Sequence, residues 1–140
     1  MKFAKEALAF AVEAHKGQKD KGKKPYIYHP IYVAEHVEGD IAKSVAYLHD
    51  VVEDTKYTLE DLRNAGFSDE IVDAVDVLTK REGMPYEKYI EKVAKNPLAT
   101  TVKLADLEHN SQISRIENPN KKDLKRCEMY HKMIGKLKNY

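Results

Sequence analysis

Hydrophobic residues recur three or four positions apart along almost the whole chain, and no segment alternates between apolar and polar residues with a period of two. This spacing predicts helices and disfavours a sheet. A lysine-rich loop over residues 18–24 follows the first predicted helix and closes at Pro25. That helix ends near Gly17, and its apolar stripe consists of Phe3, Ala7, Phe10, Ala11 and Ala14.

Proline, glycine and capping residues mark the ends of the later helices. Pro30 suits the first turn of a second helix that runs to about Val37, because the N–H that proline lacks would have no partner there. An apolar third helix spans 41–52 after the break at Gly39-Asp40. The remaining predicted helices are one capped by Thr58 and stopped by Gly66, one capped by Ser68, and three over residues 86–94, 98–116 and 123–137. The 140 residues therefore predict one domain, 1–140, folded as an all-α bundle of roughly eight helices.

The charges nearly cancel. The chain has 24 Lys and Arg against 23 Asp and Glu, a formal net charge of +1, so neither nucleic acid nor an anionic membrane is an expected partner. Cys127 is the single cysteine, and nothing resembles a signal peptide or a membrane-spanning run, so a reducing cytoplasm is the expected location. The composition leaves the oligomeric state open.

The segment "YLHDVVEDT", residues 47–55, places four ionisable side chains in an apolar run. On a helix that turns about 100° per residue, His49, Asp50, Glu53 and Asp54 fall within roughly 140° of one another. Neighbouring carboxylates repel, and burying them costs several kcal/mol unless a positive charge compensates. A bound cation accounts for the cluster, and a solvated helix face is the alternative.

Two other patches contain residue types that bind metals. "PYIYHP" holds His29 between two prolines at the entrance of the second helix. "VKLADLEHN" sets Asp106 and Asn110 four residues apart on one helical face. Taken singly, a histidine that follows a tyrosine is more often a packed core residue, and an aspartate in a helix is more often a surface residue.

Together the three patches resemble the H…HD…D signature of the HD-domain metal-dependent phosphohydrolases. More closely, "KD…PYIYHP", "LHDVVEDT" and "VKLADLEHN" resemble the hydrolase domain of the Rel/SpoT family and its stand-alone members, the small alarmone hydrolases of the Mesh1 type. The resemblance extends from about Ala11 to Tyr130 and implies an HD-domain helical bundle.

The resemblance implies one divalent metal ion, usually Mn²⁺, although the ligand types alone also permit Fe²⁺, Co²⁺ or Zn²⁺. Two imidazoles and two carboxylates leave coordination positions open for water and phosphate. The implied ligands are His29, His49, Asp50 and Asp106.

The resemblance also implies that Glu53 and Asp54 activate and orient the attacking water. A carboxylate one turn from the ligands can take a proton from a metal-polarised water. Metal ligation by both acids is the alternative. The implied substrate-binding residues are Lys19, Asn110 and Tyr130.

Two glutamines depart from the family pattern. Gln18 stands where the family commonly has an Arg that stacks on guanine, and Gln112 where another Arg is frequent. The first functional hypothesis is a hydrolase that removes the 3′-pyrophosphate of ppGpp or pppGpp. A second is an HD-domain phosphohydrolase for another nucleotide or phosphoester. A third is a non-enzymatic module that binds a nucleotide and uses the metal ion only to stabilise its fold. The histidines outside the motif are expected to be structural or surface groups: His15, His36, His109 and His131.

Overall fold

The computed structural model describes residues 3–19, 23–112 and 119–139. In these ranges the chain forms nine helices and no strand, which confirms the all-α fold. The helices are α1 (Ala4–Ala14), α2 (Tyr28–Glu35), α3 (Asp40–Leu48), α4 (Val51–Asp54), α5 (Leu59–Asn64), α6 (Asp69–Leu78), α7 (Tyr86–Ala94), α8 (Pro97–Asn110) and α9 (Lys121–Lys138).

Side-chain caps begin several helices where the sequence predicts them. The Asp61 N–H donates to the Thr58 hydroxyl at 3.2 Å, and the Thr58 N–H donates to the Asp61 carboxylate at 2.8 Å, which forms the predicted capping box. Ser68 accepts from the Ile71 N–H at 3.4 Å at the start of α6. These bonds satisfy N–H groups that the first helical turn leaves without partners.

Helix α3 lies at the centre of the bundle and packs against α1, α2, α6 and α8. Its inward side chains are fully buried, among them Val45, Ala46 and Leu48. One hydrophobic cluster includes residues from all nine described helices. This shared core fixes α2, α3 and α8 relative to one another, and these helices or their ends carry the three motif patches.

The prediction of an unbroken third helix over residues 41–52 is wrong. Helix α3 ends at Leu48, and a separate turn of helix, α4, begins at Val51. The His49 ring lies between them, and its Nδ1 is 2.6 Å from the Ala46 carbonyl oxygen. A side chain that occupies this carbonyl competes with the helical backbone hydrogen bond, so the chain bends at the two candidate ligands.

Other predicted boundaries move by a few residues. Helix α2 begins at Tyr28 and ends at Glu35, which still leaves Pro30 in its first turn, and α9 is slightly longer than predicted. Helix α8 ends at Asn110, and the rest of the predicted 98–116 helix lies partly outside the described residues. No helix in the described ranges is both long enough and apolar enough to cross a membrane.

Candidate metal centre and active site

Four predicted ligands come together between α2, α8 and the break after α3. His29 Nε2 is 2.7 Å from Asp106 Oδ1 and 3.7 Å from Asp50 Oδ2. His49 Nε2 is 3.1 Å from the same Asp50 oxygen and 3.3 Å from the same Asp106 oxygen. Two imidazole nitrogens and two carboxylate oxygens therefore face one common point, with all four atoms within 4.8 Å of one another.

The far nitrogen of each imidazole has a hydrogen-bond partner. His49 Nδ1 is 2.6 Å from the Ala46 carbonyl, so this nitrogen carries a proton and donates it. His29 Nδ1 is 2.7 Å from Nδ1 of His109, whose side chain is buried. Metal-binding histidines are held in this way, with the distal N–H bonded to a fixed acceptor. The donor set and its orientation therefore fit a divalent metal ion.

Each carboxylate in the cluster also has a partner from the surrounding protein. The Tyr26 hydroxyl donates to Asp50 Oδ2 at 2.5 Å, and Lys103 Nζ donates to Asp106 Oδ2 at 2.9 Å. Burial alone would raise the pKa of Asp50, but His49 outweighs burial and lowers that pKa to about 2. Burial likewise opposes ionisation of Asp106, and Lys103 with the two imidazoles holds its pKa well below the ordinary value. Both carboxylates are therefore ionised and ready to bind a cation.

Glu53 and Asp54 form a second acidic group that shares Asp50 with the first. One oxygen from each of the three carboxylates lies within 4.8 Å of the other two, although Glu53 and Asp54 are exposed. The Lys80 N–H donates to Glu53 Oε1 at 2.7 Å, which ties that side chain to the end of α6. Burial, followed by the charges of Asp50 and Glu53, raises the pKa of Asp54 to about 6. Such a group can take up and release a proton near neutral pH.

The three residues predicted to bind substrate lie in different surroundings. Asn110 Nδ2 donates to Asp106 Oδ1 at 3.1 Å, so this amide lies at the cluster. Tyr130 is half-buried on α9. Burial raises the pKa of its hydroxyl above the ordinary value, although the charge of Arg126 opposes this shift. Lys19 is exposed and lies at an isolated β-bridge to Pro25.

Several residues around the cluster were missed by the sequence analysis. Tyr26 and Lys103 bond the carboxylates of the candidate ligands Asp50 and Asp106, and His109, expected to be a structural or surface group, contacts His29 directly. His109 also stacks on Tyr32, with ring centroids 3.9 Å apart. The one available signal was position, because each of these residues lies within three positions of a predicted ligand.

The match to a family model is consistent with this geometry. Residues 7–133 match the model described as "HD domain". The chain belongs to the HD domain family. That family includes the phosphohydrolases that the H…HD…D pattern resembles, so the sequence-based assignment is confirmed.

Curated relatives of this HD domain include long and short proteins. It is 35% identical over 147 residues to the "GTP pyrophosphokinase" of Streptomyces coelicolor, and the match covers 94% of this chain but 17% of that protein. A "Guanosine-3′,5′-bis(diphosphate) 3′-pyrophosphohydrolase" of Haemophilus influenzae is 34% identical, and the match covers 80% of this chain and 19% of that protein. The MESH1 enzyme of Xenopus tropicalis, which bears the same pyrophosphohydrolase name, is 36% identical, and the match covers 87% of this chain and 69% of that protein.

A solved structure resembles this HD domain along nearly its whole length. It is described as "A metazoan ortholog of SpoT hydrolyzes ppGpp and plays a role in starvation responses". The TM-score is 0.78 at 26% identity, and the match covers 96% of this chain and 82% of that one. The chain thus spans most of this structure and of MESH1, but about a sixth of the first curated relatives.

Proposed function

We propose that residues 1–140 form a single HD-domain phosphohydrolase that removes the 3′-pyrophosphate of ppGpp or pppGpp. The observation that carries the proposal is the convergence of His29, His49, Asp50 and Asp106 beside a second acidic group. The pyrophosphohydrolase names of the shorter relatives and of the similar structure supply the substrate.

The metal in this proposal is Mn²⁺, held by His29 Nε2, His49 Nε2, Asp50 Oδ2 and Asp106 Oδ1. A divalent ion at such a site polarises phosphate oxygens and lowers the pKa of a bound water. His109 and the Ala46 carbonyl hold the distal nitrogens of the two imidazoles, so both Nε2 atoms stay directed at the site.

The protein's own part in the chemistry falls to Glu53 and Asp54. Water attacks the phosphorus attached to the 3′-oxygen, the bond between that oxygen and phosphorus breaks, and GDP or GTP leaves with pyrophosphate. One of the two carboxylates accepts the proton of the attacking water and the other orients it. The 3′-oxygen takes a proton as it leaves, so the products balance substrate plus water.

Asn110, Lys19 and Tyr130 are the proposed substrate contacts. The Asn110 amide lies at Asp106, where it can reach ribose or phosphate oxygens, and Lys19 is exposed at the edge of the lysine-rich loop, where it attracts a polyanion. A cytoplasmic location and a role in the stringent response belong to the same proposal, since ppGpp is the substrate that the relatives' names give.

The deciding experiment incubates the purified protein with Mn²⁺ and ppGpp and measures GDP and pyrophosphate. We expect stoichiometric release of both, and we expect Glu53→Ala and Asp54→Asn to abolish turnover while they still bind Mn²⁺. Equal activity of wild type and both variants, or no release by wild type, would remove the proposed chemistry.

Substrate choice within this chemistry has a second candidate, favoured by the two departing glutamines. Gln18 bonds His15 and the Asp54 carbonyl, and Gln112 donates to the Tyr32 hydroxyl at 2.9 Å. Because both amides bond protein groups, neither replaces the base contact that the family's arginine makes. The alternative is therefore a phosphohydrolase that acts on another nucleotide or phosphoester. A panel of 3′- and 5′-phosphorylated nucleotides separates the two, because a strong preference for ppGpp eliminates the alternative.

A further inference from the structure

Gln18 lies where α1 has ended and the chain turns toward the candidate metal centre. Gly17 has a φ of +86°, a left-handed conformation that suits glycine, and it redirects the chain after α1. The Gln18 N–H donates to the His15 carbonyl at 3.0 Å, and its own carbonyl accepts from the Tyr26 N–H at 2.8 Å. The backbone at this position is therefore fixed on both sides.

The side chain of Gln18 connects two segments that are distant in sequence. Its Oε1 is 2.8 Å from His15 Nδ1, and its Nε2 donates to the Asp54 carbonyl at 2.9 Å. The opposite amide orientation would set Oε1 against the Asp54 oxygen, and two acceptors repel. His15 Nδ1 is therefore the donor and Gln18 Oε1 the acceptor.

The Asp54 carbonyl needs such a partner. Asp54 is the last residue of α4, a helix of four residues, and the carbonyls of a last helical turn have no donor within the helix. One turn of helix has little stability of its own. The Gln18 amide satisfies this carbonyl and ties the end of α4 to α1.

We propose that Gln18 is a positioning residue that holds the backbone at Asp54, so that the Asp54 carboxylate keeps its place beside Asp50. This inference deepens the proposed function and rests on it, because Asp54 is catalytic only there. His15 completes the arrangement, since its buried ring orients the Gln18 amide and packs on Tyr26 with centroids 4.9 Å apart.

Glutamine suits this position because it accepts and donates at once. Arginine has donors alone, so Gln18→Arg can reach the Asp54 carbonyl but cannot accept from His15. Glutamate accepts from His15 but sets a carboxylate against the Asp54 carbonyl. Each substitution therefore removes one of the two bonds.

The kinetic test measures kcat and KM for Mn²⁺-dependent ppGpp hydrolysis by wild type, Gln18→Glu and Gln18→Arg. We expect kcat to fall about 10- to 100-fold with the larger loss for Gln18→Glu, because a small displacement of a catalytic group is costly. For Gln18→Glu, KM should stay within about threefold of wild type, since Gln18 is not among the proposed substrate contacts. Gln18→Arg restores the family's guanine-stacking residue, so for this variant kcat alone is the test. Glu13→Gln, a change on the exposed face of α1, is the matched control and should retain wild-type kcat.

Hydrogen exchange gives a second readout that needs no substrate. The Thr55 N–H donates to the Val51 carbonyl at 3.0 Å, and its exchange reports opening at the end of α4. Both Gln18 variants should exchange this proton faster, while Mn²⁺ affinity remains that of wild type. Combining His15→Ala with Gln18→Ala should cost little more than Gln18→Ala alone, because the two act through one connection.

If both Gln18 variants keep the wild-type kcat and the wild-type exchange rate of the Thr55 N–H, the inference is wrong. A raised KM at constant kcat in Gln18→Glu would also overturn it, because that result makes Gln18 a substrate contact. If the wild type does not hydrolyse ppGpp but the Gln18 variants still exchange the Thr55 N–H faster, the proposed function is refuted and the structural role of Gln18 stands. Melting curves of all variants separate these outcomes from unfolding.

Discussion

Replacing His109 with Ala tests how far the residues behind the ligands control metal binding. Once His29 Nε2 binds a metal ion, the ring proton of His29 resides on Nδ1, and Nδ1 of His109 at 2.7 Å is its acceptor. A buried N–H without an acceptor costs about 1–3 kcal/mol, which is roughly 5- to 150-fold in an equilibrium constant. Because water admitted into the vacated space can accept the same proton, we expect the Mn²⁺ affinity to fall about tenfold.

The assay titrates chelator-treated protein with Mn²⁺ and follows the free ion by its electron paramagnetic resonance signal. His36→Ala is the matched control. His36 stacks on the other side of Tyr32 with centroids 3.9 Å apart, but it is exposed and its Nδ1 bonds the Tyr32 carbonyl. A His109→Ala affinity within twofold of wild type, or an equal loss in His36→Ala, would refute the argument.

Three further predictions concern the groups around the candidate metal centre. Tyr26→Phe removes the hydroxyl that orients Asp50 and should weaken Mn²⁺ binding about tenfold in the same titration; unchanged affinity would contradict this. Lys103→Met leaves Asp106 without its buried cation and should lower the free energy of unfolding by about 3 kcal/mol in chelator. Saturating Mn²⁺ should reduce that loss, and an equal loss in both conditions would count against metal binding at Asp106. Burial lowers the pKa of His15 below its ordinary 6.5, so the unfolded chain takes up a proton that the folded protein does not. Denaturation of wild type should therefore become easier as the pH falls below 6.5, and His15→Asn should lessen that dependence.

Local pattern predicted most of the fold because most helix ends here are set by local chemistry. Thr58 and Ser68 begin their helices as predicted, since a capping side chain acts within one turn. The break at His49 depends instead on a ring that takes a backbone carbonyl three residues earlier. Apolar periodicity carries no information about that competition.

The candidate site likewise has residues that the sequence could predict and residues whose roles depend on packing. The resemblance of the three motif patches to the HD-domain signature was enough to select the four candidate ligands, and these residues do converge. The role of His109 depends on a contact with His29 across 80 positions, and that of Tyr26 on a contact with Asp50 across 24. Such contacts follow from how α2, α8 and the break after α3 pack, so the sequence alone could not have assigned them.

The most direct measurement of the central claim is an anomalous-scattering map from crystals of the protein grown with Mn²⁺. We predict one strong peak, about 2.0–2.4 Å from His29 Nε2, His49 Nε2, Asp50 Oδ2 and Asp106 Oδ1. The absence of a peak among these four atoms at saturating Mn²⁺, or a strong peak elsewhere with these four still bonded to one another, would contradict it.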